Sequence, residues 1–586
     1  MTCQEMTVTS LGRVISVRGS VARVGLLARR QMPISEIRAT VGRFVSLRCA
    51  SSTIVAMVTD VTCEHLPTSD SYIATAGVDL LGEIFNGDRP KFQRGVTNYP
   101  TIGDSVELIS SQELRTIYAP SGSDQIDVGT LQQDRSVIAY VDVEEMLSKH
   151  FAVLGSTGVG KSTGVSLLLN EILKARPNLR IFLLDVHNEY GRCFGERALV
   201  LNPRNLKLPF WLFNFEEIAD VLFAGRPGVP DELDALAEVI PLAKGIYTQY
   251  QNVDRLGLKR IEAKQVGFTV DTPVPYRLVD LISLIDERMG KLENRASRII
   301  YHKLISRIET VRSDPRYAFM FDNANVGGDT MADVISHLFR LPANGRPMTV
   351  MQLAGFPAEV IDSVVSVLCR MAFDFGLWSD GVSPLLFVCE EAHRYAAADR
   401  SIGFGPTRRA VSRIAKEGRK YGVYLGLVTQ RPAELDATII SQCNTLFTMR
   451  LANERDQSLL RSAVSDAAAN LLSFVPSLGT REVLAFGGGV ALPTRLRFKE
   501  VPTQQLPRSE ATIATSPSVT AGHDTHFVSA VLERWRGATS QRDVPNDPGI
   551  NDRPGARMLP SYEAPMLQPS QGLDPDRFSL LKKPLR

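Results

Sequence analysis

Phe151-Ala-Val-Leu-Gly155-Ser-Thr-Gly-Val-Gly160-Lys161-Ser162-Thr163 is the stretch that decides the fold. A continuous apolar run, Phe151 to Leu154, enters a glycine-rich loop, and Gly155 to Ser162 match G-x-x-x-x-G-K-[ST] in full. Leu167 to Lys174 then reads as a helix. Strand, loop and helix in that order make a phosphate cradle. The backbone N–H groups of Gly155, Ser156, Thr157, Gly158, Val159 and Gly160 turn inward around the phosphates, and Thr163 completes the set. Lys161 reaches the β- and γ-oxygens and the Ser162 hydroxyl coordinates magnesium. The expected ligands are therefore ATP and Mg2+.

Reading outward, Arg180-Ile-Phe-Leu-Leu184 is a second buried strand. The apolar runs Met348 to Leu353, Leu385 to Cys389, Tyr424 to Val428 and Thr445 to Met449 continue the pattern. Such runs, separated by helical segments, predict a parallel α/β sheet. Residues 206–345 lose the alternation and read as amphipathic helices, for example Ile261 to Lys264 and Ala296 to Arg312. They predict an all-α insertion. Upstream, Arg13 to Leu26, Phe44 to Leu47, Thr53 to Val58 and Val78 to Ile84 are short β runs divided by turn residues. A small antiparallel barrel follows.

The predicted organisation is thus a barrel at 1–140, a RecA-like core at 141–205, a helical insertion at 206–345, the rest of the core at 346–510, and a C-terminal extension at 511–586. That extension holds one helix, Phe527 to Trp535, and eight prolines in its last 46 residues. Within it, Arg577-Phe-Ser-Leu-Leu581 reads as a short apolar clip for a neighbouring subunit.

Composition excludes several classes. At 586 residues the chain is too long for one core. Lys+Arg 66 against Asp+Glu 64 leaves a formal charge of +2, so an anionic partner must be held by a local patch. The seven cysteines form no C-x-x-C pair, which argues against a zinc or redox motif. No apolar run approaches membrane-span length, and Met1 to Met6 lack the features of a secretory signal, so a cytoplasmic protein is expected.

A strand ending in carboxylates should accompany the phosphate loop, and Leu385 to Cys389 delivers Glu390 and Glu391. Glu390 would orient the magnesium shell and Glu391 would polarise the attacking water. Asp185-Val-His-Asn-Glu189-Tyr190 caps the second strand, where Asp185 or Glu189 can join the magnesium or water network. His187 in D-x-H-x-E is weak as a metal ligand. Gln430, in Thr429-Gln-Arg-Pro432, is placed to sense the γ-phosphate. Arg419 is the first candidate for an arginine finger into a neighbouring subunit, ahead of Arg431 and Arg450. Lys149 is a basic residue placed to stabilise phosphate charge. Arg394, Arg400, Arg408, Arg409 and Arg413, with Tyr395 and Phe404 interleaved, predict a loop that grips phosphates in a ring pore.

Together these residues resemble the HerA family of hexameric DNA translocases, relatives of the FtsK motor, over about residues 10–510. The resemblance rests on Gly12-Arg-Val-Ile-Ser-Val17, Arg94-Gly-Val-Thr-Asn-Tyr-Pro100, Lys149 to Gly155, Asp185 to Tyr190, Glu390-Glu-Ala-His393, Glu417-Gly-Arg-Lys-Tyr-Gly422 and Thr429 to Pro432. One departure is Glu390 where Asp is more usual. The resemblance implies an N-terminal barrel, a RecA-like ATPase core and a homohexameric ring that threads double-stranded DNA. By the same resemblance, Lys161, Ser162, Glu391, Gln430 and Arg419 are catalytic or sensor residues. It also implies a separately encoded partner, a NurA-like nuclease or an antiviral effector such as a sirtuin-like NAD hydrolase. In the alternative reading, the ring is a scaffold whose ATP turnover regulates that effector without processive translocation.

Overall fold

In Ser10–Arg18 buried and exposed residues alternate in places, as in a strand with one face on a core. This strand, β1, opens the computed structural model. The model describes residues 10–508 except 27–38, 66–71, 88–89, 121, 123, 257–266, 292–294, 323, 325–327 and 464–469, together with 528–529, 531–533 and 536. The positions described among 528–536 are helical, as the predicted C-terminal helix requires. Ile261 to Lys264 and the clip at Arg577 to Leu581 lie outside the described residues.

The barrel is built from β1, β2 (Val21–Leu26), β3 (Phe44–Arg48), β4 (Ser52–His65), β5 (Tyr72–Phe85) and β7 (Ser105–Leu108), with β6 (Lys91–Arg94) added at its edge. It closes because β2 pairs with both β1 and β5. The long strands β4 and β5 carry register shifts at Val55/Ala56 and Val58/Asp60, which let them bend around the barrel. Val14, Val24, Leu47, Ile54 and Val78 fill the interior.

The second sheet contains eleven strands among the described residues. Its parallel part runs β12 (Ala198–Leu201), β13 (Met348–Gln352), β11 (Arg180–Asp185), β14 (Leu385–Cys389), β15 (Val423–Thr429), β10 (His150–Leu154) and β16 (Cys443–Thr448). An antiparallel extension follows: β17 (Glu482–Gly487), β18 (Thr494–Phe498), β8 (Gln125–Leu131) and β9 (Ile138–Asp142). The last two correct the sequence expectation, which assigned everything up to residue 140 to the barrel. Hairpin signals mark β8 and β9 as antiparallel but cannot name their partner, and that partner is β18, far along the chain.

Helix α1 (Ser111–Ile117) lies between barrel and sheet, and α2 (Val143–Leu147) leads into β10. Helix α3 (Lys161–Ala175) follows the glycine loop. The insertion between β12 and β13 carries α4 (Phe215–Leu222), α5 (Pro230–Leu256), α6 (Leu278–Gly290), α7 (Arg295–Ser313), α8 (Ala318–Phe321) and α9 (Met331–Leu338), and is helical as expected. It is fastened to α10 (Ile361–Trp378), where Arg370 makes a 2.8 Å ion pair with the fully buried Glu217 and Ser366 Oγ donates to the same carboxylate at 2.7 Å. Helix α11 (Gly405–Glu417) connects β14 to β15.

The Arg94 to Pro100 segment locks barrel to sheet. The Arg94 guanidinium donates to the carbonyls of Ala491 at 2.6 Å and Gly487 at 2.8 Å, and also to that of Val490. Thr97 and Asn98 bond to buried Glu83 of β5. Burial alone would raise the Glu83 pKa, but hydrogen bonds from Ser52, Thr97 and Asn98 outweigh it and hold the value at about 2.

Candidate nucleotide site

Parallel strands bring all their C-terminal ends to one edge, and the register decides which residues meet there. Leu154 pairs with Thr429 and Leu184 with Cys389. The residues that follow these pairs are the glycine loop beside Gln430, and Asp185 beside Glu390.

The loop is shaped by its glycines. Gly158 and Gly160 have φ of +78° and +97°, the left-handed region that favours glycine. It is also held from outside: Gly155 N–H donates to the Thr429 carbonyl at 3.3 Å, Ser156 N–H to that of Arg450 at 2.9 Å, and Arg481 N–H to that of Val159 at 3.0 Å. The Thr157 hydroxyl donates to Gln430 Oε1 at 2.5 Å. Arg481 was not singled out from the sequence, because it stands in the turn just before β17 and belongs to no motif.

Lys161 is only 7% exposed, and its Nζ lies 3.5 Å from Glu391 Oε1. Glu391 is buried with φ +49° and ψ +45°, an unfavourable conformation for a residue with a Cβ, costing on the order of 1 kcal/mol or more. The turn swings its carboxylate toward the lysine. Oε2 of the same carboxylate has no hydrogen-bond partner and lies 3.3 Å from His393 Nδ1.

Asp185 is fully buried and accepts the N–H groups of Glu189 and Tyr190, both at 3.0 Å. Burial pushes its carboxyl up to about 6 despite those two donors. Glu390 Oε2 accepts Val186 N–H at 3.3 Å. Burial, then the charges of Asp185 and Glu189, push Glu390 up to about 8. Two neighbouring carboxyls that resist ionising together suit a divalent cation. Among the described residues no three His, Cys, Asp or Glu converge as a metal cage. A site of one or two carboxylates completed by a hydroxyl and substrate phosphates is the usual form for Mg2+. Ser162, at the start of α3, can supply that hydroxyl.

Other expectations fare differently. Arg419 and Lys149 are exposed and lie at the opposite edge of the sheet, beyond the starts of β15 and β10. Seven residues of β15 separate Arg419 from the loop, roughly 20 Å at the usual strand rise. Neither residue reaches the phosphate cradle of its own chain, which corrects the placement of Lys149 beside the phosphates. Arg431 pairs with Glu434 at 2.9 Å, and Arg450 is exposed beside the loop. In the arginine-rich segment, Arg394 and Arg400 are exposed and Arg408 half-buried. Arg409 pairs with Glu216, and Arg413 pairs with Asp374 at 3.2 Å over the Phe373 ring. Tyr395 is buried, so it does not offer its ring on the surface as the interleaved pattern suggested. His187 is half exposed and 3.9 Å from Glu391.

The family described as "Helicase HerA, central domain" matches residues 126–372. That stretch is similar to the HerA central domain. Its relatives agree: a probable helicase of Methanocaldococcus jannaschii is 27% identical over 75% of this chain and 81% of its own. A "DNA double-strand break repair helicase HerA" of Pyrococcus furiosus is 26% identical over 75% of this chain and 80% of its own. Among solved structures, VirB4 of Thermoanaerobacter pseudethanolicus aligns with 65% of this chain and 97% of its own, at 15% identity and a TM-score of 0.43. This likeness, with the complete glycine loop and the buried Lys161, marks the chain as an ATPase. Among the described residues no helix is long and apolar enough to cross a membrane.

Proposed function

We propose that this chain is an ATP-driven translocase of double-stranded DNA that works as a homohexameric ring with a separately encoded nuclease or effector. The observation that carries the reading is the convergence of the glycine loop, buried Lys161 and the Glu390–Glu391 pair at one sheet edge. The DNA substrate is inferred from relatives named as DNA double-strand break repair helicases.

In the reaction, water attacks the γ-phosphorus of ATP, the bond to the β,γ-bridging oxygen breaks, and ADP and phosphate leave. Glu391 takes the proton from the attacking water, and its 3.5 Å contact with Lys161 puts it at the mouth of the cradle. Lys161 exchanges that carboxylate for the phosphate oxygens, and the loop amides hold the phosphate chain in place. Gln430, now bonded to Thr157, is within reach of the γ-phosphate end of the loop. Ser162, with Glu390 and Asp185 nearby, would hold Mg2+, which would supply charge neutralisation at the phosphates.

The far edge of the sheet supports a shared site. Arg419 stands there with Trp378, the last residue of α10, and Val382, just beyond it; they are 84% and 81% exposed, and Gly381 between them packs against Tyr421 and Gly422. Head-to-tail packing would bring this edge to the acidic nucleotide edge of the next copy, and such heterologous contacts make a ring when the rotation between copies closes. The exposed Arg394 and Arg400 loop lies at the nucleotide edge, where it can face DNA in a pore.

The direct test is Lys161→Ala with phosphate release as readout. Turnover is expected to fall at least about a hundredfold, since this cation serves the transferring phosphoryl group. Wild-type turnover would remove the site assignment.

A further inference from the structure

We propose that His393 is a positioning residue that passes the state of the phosphate loop to Glu391 through the tip of β15. The proposal rests on the reading of Glu391 as the base.

The His393 ring is almost enclosed, with 11% of its side chain exposed, between the two groups it would connect. Its Nδ1 lies 3.0 Å from Thr429 Oγ1 and 3.3 Å from Glu391 Oε2. A bare ring nitrogen that close to a buried carboxylate oxygen would be repelled, so the proton belongs on Nδ1. The Thr429 hydroxyl oxygen also accepts Arg431 N–H at 3.1 Å, and its two lone pairs serve both donors. One N–H therefore faces two acceptors and can satisfy only one of them well. Here it is bonded to Thr429, and Glu391 Oε2 is left buried without a partner.

The other end of the connection is the loop itself. Thr429 and Gln430 end β15, and both touch the loop: the Thr429 carbonyl accepts from Gly155 and the Gln430 side chain from Thr157. Phosphates entering the cradle compete with Glu391 for Lys161 and with Gln430 for Thr157. Once Lys161 turns to phosphate, Glu391 loses its cationic partner. The His393 N–H, moving from Thr429 to Oε2, then holds the carboxylate in place while its other oxygen takes the proton of water. With the loop empty, the carboxylate stays on Lys161 and is not available as a base. An orphaned acceptor, a donor with two choices and a strained Glu391 backbone are what an element poised between two arrangements requires.

The test uses the full chain without DNA and compares His393→Leu, His393→Asn and His393→Gln. Asn can place a donor near the Nδ1 position, Gln places it farther out, and Leu has none. Misplacing a catalytic base is costly, so Leu and Gln are expected to lower kcat at least about tenfold. KM for ATP and the affinity for a non-hydrolysable ATP analogue should stay within about twofold, because binding does not need the carboxylate. Asn should recover most of kcat. Should the Leu variant fail to fold, the contrast between Asn and Gln decides the question. Unchanged kcat in Leu and Gln overturns the proposal, as does an equal loss in all three with weakened analogue binding, which marks a packing role. A parent chain that binds ATP but retains full turnover as Glu391→Gln overturns the assignment of the base instead, whatever the His393 variants do.

Discussion

A β-carbon added at Gly155 would stand 2.9 Å from Met449 Cβ and 3.1 Å from Val159 Cγ2, so the first glycine of the loop is needed for space. Overpacking of this kind costs about 1–3 kcal/mol. If the strain is relieved by moving the loop, Gly155→Ala should weaken ATP binding by roughly ten- to a hundredfold. Equilibrium binding of a fluorescent ATP analogue checks this, and unaltered affinity would show that the loop absorbs the methyl elsewhere. The motif announced the glycine, but Met449 as its neighbour was not legible, because it follows β16 far along the chain. Glu390 and Glu391 were legible as a strand-tip pair, since an apolar run ending in two acids is local information. That Glu391 turns through a left-handed conformation onto Lys161 was not, because nothing in the sequence marks a non-glycine residue for that region.

His150, at the start of β10, shows how one element is tied to the next. Its Nδ1 accepts Leu425 N–H at 2.9 Å, and its Nε2–H donates to the Ala415 carbonyl at 2.9 Å, near the end of α11. The Leu425 bond needs an unprotonated Nδ1 and hence the neutral ring, and burial, with a contribution from Arg419, outweighs the Ala415 bond and pulls the pKa down to about 4. An unfolded histidine titrates near 6.5, so the unfolded chain takes up the proton first as pH falls between those values. The His150 contribution to stability drops across that window, by about 2 kcal/mol from pH 7 to pH 5, and levels off below pH 4. In thermal melts, His150→Asn should be less stable than the parent at pH 7 and show a shallower loss on acidification. Parallel pH slopes would contradict the bonding described. The parallel strands and the helical insertion could be read from the sequence because each is a local pattern of apolar residues. The destination of β8 and β9 could not, because their pairing with β18 is non-local.

At the scale of the whole molecule, the distance between the two sheet edges matters most. Lys161 and Arg419 cannot meet within one chain, so a finger at Arg419 must serve another copy. Mixtures of Lys161→Ala and Arg419→Ala chains, each nearly inactive alone, should then recover turnover wherever an intact loop faces an intact Arg419. A mixture no more active than its components would place Arg419 outside the site. The Arg94 contacts to the 487–491 turn make barrel and ATPase core one unit. The measurement that bears most directly on the central claim is ATP hydrolysis by the full chain with and without linear duplex DNA, taken with its mass in solution. A translocase ring predicts a hexamer whose turnover rises severalfold with DNA. A hexamer indifferent to DNA would contradict translocation and favour the scaffold reading, and a monomer with full turnover would contradict the shared site.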